Sequence, residues 1–223
     1  MRLNRNYSKY RIRVLTQSIK SSSKNMSIQF FSRIVNLVAL MMLLTSCMEV
    51  EHHVYGSKKD VKVCFEILAN HSMVQLSDNQ TGGDAMGDAA AQFRAIGKGM
   101  IVKEYKREKN GELYDVVSGT FSANSNNKDF SAYAPLFEKD KIIIPTPFDN
   151  SGWNDENSYL FTNSTYSVYI AKTFFPTASA AYTLRHNGQI REIDLKIKGN
   201  SYIAEFPILW WLNGNVDAVI LTK

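Results

Sequence analysis

Residues 100–121, MIVKEYKREKNGELYDVVSGTF, decide how the rest of the chain is read. Met100 to Lys106 and Glu112 to Phe121 are rich in strand-forming residues and flank Asn110-Gly111, a pair suited to a type I′ turn because both of its central residues need φ > 0. A β-hairpin is expected here. The pattern repeats where Ala180 to His186 and Gln189 to Ile197 flank Asn187-Gly188. There Ile193, Leu195 and Ile197 alternate with Glu192, Asp194, Lys196 and Lys198, giving one dry and one wet face. Ser201 to Leu212 and Val216 to Leu221 read as a third hairpin around Asn213-Gly214-Asn215, and Val61 to Leu68 and Ser164 to Phe175 as further strands. The turn formers 77–84 end in Asp84, a candidate N-cap for a helix in which Met86, Ala89, Phe93 and Ile96 share one face before Gly97 and Gly99 stop it. The expected class is therefore mainly β: an antiparallel β-sandwich or open barrel with one short helix at about 84–96.

Upstream of these strands the composition changes. Ile34 to Leu44 is an apolar run of eleven residues interrupted only by Asn36, too short to span a bilayer core of ~30 Å as a helix. Arg33 precedes it, and the run ends in Leu44-Thr45-Ser46-Cys47. This stretch resembles the bacterial lipoprotein signal, the lipobox, in which a branched apolar residue and two small ones precede the cysteine that receives diacylglycerol before cleavage. The resemblance implies a signal peptide over 1–46, lipidation at Cys47, and a membrane as the first partner. Starting at Met26 instead of Met1 gives a signal of ordinary length. Met48 follows the cysteine where the lipoprotein family carries Asp for retention in the inner membrane, so the resemblance implies sorting to the outer membrane, facing the periplasm. Residues 47–60 are expected to be the lipidated cysteine and a flexible tether, and 61–223 a single β-rich domain.

The charge balance has to be recomputed after that cut. The chain has 26 Lys and Arg, but eight lie in residues 1–47, which hold no acidic residue. That leaves 18 basic against 21 acidic residues over 48–223, a formal charge of −3, so the basic character belongs to the leader and gives no footprint for nucleic acid. With Cys47 lipidated, Cys64 has no partner for an internal disulfide and reads as a half-buried strand thiol.

Catalytic and metal signatures are sparse. No G-x-S-x-G elbow occurs, and the histidines fall at His52 and His53 in the expected tether, His71 in a loop and His186 beside a turn. Adjacent His52 and His53 point in different directions on an extended chain, and no H-x-x-x-H or C-x-x-C spacing aligns ligands. The loop 149–158 is rich in oxygen ligands but lacks the EF-hand spacing. No catalytic, metal or cofactor site is therefore assigned. The aromatics carry the one functional hint. Trp210 and Trp211 are neighbours that a regular strand sends to opposite faces, one into the core and one outward, and Trp153 sits in a polar loop. These three are the candidate partner interface. The expectation is a protein-binding module, most concretely an immunity or inhibitor protein against a toxic envelope-acting lipase or peptidoglycan hydrolase. The alternatives are a structural subunit of an envelope or secretion assembly, and a hydrolase using His71 or His186.

Overall fold

In the computed structural model, which describes residues 48–123, 130–146, 161, 164–185 and 188–223, the sheet starts at the residue after Cys47. Strand β1 is Met48–Ser57 and pairs antiparallel with β2, Asp60–Asn70. Residues 48–60 are thus not a tether but a strand, a turn and the start of a second strand. The cause is a period of two: Met48, Val50, His52 and Val54 are buried on one face, while Glu49, Glu51, His53 and Tyr55 lie on the other. Gly56, at φ +102°, leads β1 into the Lys58-Lys59 turn, and a Cβ there would run into the Asp60 carbonyl.

Helix α1, His71–Thr81, occupies what reads as loop in the sequence. The Asn70 side chain accepts from the Ser72 N–H at 3.1 Å, and Gly82, at φ 66°, closes the other end by donating to the Asp78 carbonyl at 2.8 Å. The turn formers 77–81 lie in its last turns. Helix α2, Ala85–Ile96, matches the expected helix, with Asp84 accepting from the Gly87 N–H at 2.9 Å and Met86, Ala89 and Phe93 buried. Strands β3, Ile101–Lys109, and β4, Glu112–Ser122, form the first hairpin, with Asn110 at φ 55° and Gly111 at φ 81° as a type I′ turn requires.

A single 3₁₀ turn at Ser131–Tyr133 precedes β5, Leu136–Phe137, and β6, Lys141–Pro145. Then come β7, Thr165–Ala171, β8, Ala180–Leu184, and β9, Ile190–Lys198, the last two being the expected second hairpin. On β9, Ile193 and Leu195 pack on the core while Ile197, near the strand's end, is 64% exposed. The third expected hairpin does not form. Strand β10, Ser201–Pro207, pairs with β7 and β9, whereas β11, Ala218–Thr222, pairs with β6 and β8. Between them Ile208–Leu212 is helix α3, so Trp210 and Trp211 are helical and not on a strand. Proline has no N–H for the ladder, which is why β10 stops at Pro207.

Among the described residues all eleven strands belong to one sheet, ordered β3-β4-β2-β1-β7-β10-β9-β8-β11-β6-β5. The pair β1 and β7 is parallel and every other pair antiparallel, so the sheet is mixed and realises the open-barrel expectation as a curled half-barrel. One face carries a continuous core in which Val63, Val117, Tyr166, Val168, Ala204 and Val219 take part, covered at the β4 side by α2 and at the β10 side by α3. The register puts the polar residues of β1 to β4 together on the opposite face.

Candidate functional site

That polar face is built by cross-strand pairing. Glu51 lies opposite Glu66 of β2, and His53 opposite Cys64. Two carboxylates facing each other repel unless cations join them. The cations come from β3: Arg107 donates from Nη1 to Glu66 Oε2 and from Nη2 to Glu51 Oε2, both at 2.9 Å. Lys109 donates to Glu51 Oε1 at 3.0 Å and also bonds Glu49. In a flat sheet β3 stands three strands, ~14 Å, from β1. Direct bonds across that interval mean that the sheet curls toward this face, making it concave over β3, β4, β2 and β1.

His53 completes the network. Its Nε2 lies 3.3 Å from Glu51 Oε2 and 3.6 Å from Glu66 Oε2, and its ring stacks on Tyr169 of β7 at 4.4 Å between centroids. Burial works to lower the His53 pKa, but the bonds and charges of Glu51 and Glu66 outweigh it and raise the value. Burial likewise works to raise the Glu51 carboxyl, yet the bonds from His53 and Lys109 and the charge of Arg107 hold it well below the carboxylate range. The Glu66 carboxyl is lowered in the same way, against burial, by His53 and by Tyr105, whose hydroxyl donates to Glu66 Oε1 at 2.6 Å. With His53 protonated, Glu49, Glu51 and Glu66 are balanced by Arg107, Lys109 and the imidazolium.

One atom each from Glu51, His53 and Glu66 lie within 4.8 Å of one another, a spacing a divalent ion can bridge. Both Oε2 atoms already accept from Arg107, and the cluster is neutral without an ion, so this donor set suits a proton on His53 better than a metal. His52, on the core face, is fully buried, with Nδ1 3.3 Å from the Tyr166 hydroxyl and its ring 4.2 Å from Phe65. Burial first, and the neighbouring His53 second, push its pKa down to about 3. A neutral histidine sealed beneath a sheet has no route to a substrate.

The other candidates separate. His71 is the first residue of α1 and not a loop residue; its Nδ1 lies 2.7 Å from Asp115 Oδ2 and its Nε2 3.2 Å from Lys106 Nζ. The nitrogen that a catalytic base would turn toward a serine thus faces an ammonium. His186, Cys47 and Trp153 lie outside the described residues, as does the loop 149–158. Trp211 sits in the core, donating from Nε1 to the Thr146 carbonyl at 3.2 Å and packing on Tyr166, so it leaves the candidate interface. Trp210 is half-buried on α3, with the Arg191 guanidinium 3.7 Å above its ring. Cys64 is buried in β2, and burial raises its thiol pKa, so it is a poor nucleophile.

Sequence reasoning did not find Glu51, His53, Glu66, Arg107 and Lys109. The one signal available was the alternation of MEVEHHVY, which a strand converts into one apolar and one polar face. Around this network Tyr55, Ile101 and Tyr105 are exposed on the same concave face. No protein-family model matches the chain, and no curated protein is significantly similar to it.

Proposed function

We propose that this chain is a lipoprotein anchored in the outer membrane through Cys47, whose β-rich domain faces the periplasm and binds another protein. In its most concrete form it is an immunity or inhibitor protein against a toxic lipase or peptidoglycan hydrolase of the envelope. The observation that carries the binding reading is the concave face itself. Tyr105 is exposed yet held by its 2.6 Å bond to Glu66, and Tyr55 and Ile101 flank the same surface. Aromatic side chains already fixed before contact lose little conformational entropy when a partner covers them. The ion pairs beneath them are satisfied within the chain, so covering them leaves no unpaired charge. Pre-ordered aromatic anchors ringed by satisfied polar groups are the anatomy of an interface hot spot.

The test is to purify the full acylated protein in detergent and mix it with envelope lipases and peptidoglycan hydrolases. The expected result is a stoichiometric complex with one such enzyme and loss of its activity. Tyr105→Ala is expected to weaken that complex by about 30-fold, the effect of losing ~2 kcal/mol at a hot spot. Retention of full enzyme activity beside a stable complex with membrane-assembly proteins would contradict inhibition and support the structural-subunit reading.

A further inference from the structure

A tether of 13 residues would reach ~45 Å at full extension, longer than this domain is wide, and would leave its orientation free. The structure removes that tether. Cys47 is joined by one peptide bond to Met48, which is already buried at the start of β1. If Cys47 carries acyl chains, the reading on which this inference rests, the end of the sheet where β1 begins has to lie at the bilayer.

The register identifies that end. Met48 pairs with Ala69 at the C-terminal end of β2, and Asn70 with Tyr114 near the start of β4, so the β3–β4 turn at Asn110-Gly111 projects there. β7 runs parallel to β1 and begins at the same end, where β10 stops at Pro207 and α3 follows. β9 starts there too, at Ile190. This rim exposes Ile190 at 60% and Leu113 at 42%, while Ile101 at 60% and Ile197 at 64% are exposed at the opposite end, so the junction to Cys47, not apolar exposure, selects the rim that meets the bilayer. Trp210 lies on α3 at the same rim beneath Arg191. Tryptophan and arginine side by side, next to Ile190, are a combination that settles at the headgroup level of a bilayer. The opposite rim carries the Lys58-Lys59 turn beside Ile101 and Ile197 and lies a full strand length away from Cys47.

We infer that the domain docks flush on the lipid bilayer through the rim formed by Leu113, Ile190 and Trp210 with Arg191. The concave face then stands roughly along the membrane normal, displayed sideways to a partner, instead of swinging on a leash.

The test uses the full acylated protein in a Cys64→Ser background, with an environment-sensitive fluorophore at Ile190→Cys or Leu113→Cys, or at Lys59→Cys on the far rim. It is reconstituted in phosphatidylethanolamine–phosphatidylglycerol vesicles whose acyl chains are brominated. Expected are loss of emission at both near-rim positions, none at Lys59→Cys, and recovery at the near rim when a flexible Gly-Ser spacer is inserted between Cys47 and Met48. Equal emission at the two rims, with acylation verified by the mass of the N-terminal peptide, would overturn the flush docking and leave the lipoprotein reading standing. An N-terminal peptide without acyl groups would overturn both.

Discussion

His52 and His53 are adjacent in sequence and opposite in chemistry, because a strand sends them to different faces. The consequence can be read in the pH dependence of stability. His53 has a raised pKa in the fold, so its contribution is complete below its unfolded value of 6.5 and is lost as pH rises through the folded value. His52, pushed down to about 3, contributes fully above 6.5 and progressively less as pH falls toward 3. Glu51 and Glu66 have lowered values, so their contribution holds above 4.5 and is lost below it. Stability is therefore expected to peak near pH 6.5, falling steeply in acid, where His52 and both carboxylates act together, and more gently between pH 6.5 and 9, where His53 acts before the raised Cys64 thiol, the buried tyrosines and Lys109 come into play. Melting temperature measured against pH checks this. His53→Gln should flatten the alkaline limb and soften the acid one, since His53 also helps to hold Glu51 and Glu66 low while His52 still acts there; an unchanged alkaline limb would contradict the role given to His53. None of this was legible from the residues alone, since the partners of Glu51 lie in β3, more than fifty positions away.

Elements whose signals are local were readable in advance, and those decided at a distance were not. The Asn110-Gly111 hairpin and α2 with its Asp84 cap follow from turn and capping chemistry within a few residues. β1 was hidden because Glu49, Glu51, His52 and His53 look solvated until β2, β3 and β7 supply their partners and cover. α3 was hidden because the apolar run at 208–212 suits a strand as well as a short helix, and it is the missing N–H of Pro207 that breaks the ladder. Packing of α2 on the sheet depends on one position: a Cβ at Gly119 would stand 2.9 Å from Met100 Sδ and 3.0 Å from Phe93 Cδ1. Gly119→Ala is expected to force Phe93 and α2 outward and to cost ~1–3 kcal/mol, as overpacking does. Urea denaturation measures it. A variant as stable as the parent would show that α2 is free to shift.

For the whole molecule, the class was legible because many short alternating segments bounded by turns admit few architectures other than a sandwich or barrel. The strand order was not, since the parallel pairing of β1 with β7 joins segments more than a hundred residues apart and leaves no local mark. Little of the candidate site was legible: Trp210 and Trp211 lie on a helix and not on a strand, Trp211 turns into the core, and the concave network was missed. Among the described residues no helix is long and apolar enough to cross a membrane. In the proposed function the membrane enters through Cys47, and the envelope location, the flush docking and the display of the concave face to a partner all depend on that residue. The measurement that tests this most directly is mass spectrometry of the N-terminal peptide of the protein isolated from bacterial membranes. The expected result is a chain beginning at Cys47 and carrying diacylglycerol and an N-acyl group, with Cys47→Ala abolishing both cleavage and acylation. A chain that begins at Met1 or Met26 with an unmodified Cys47 thiol would contradict it.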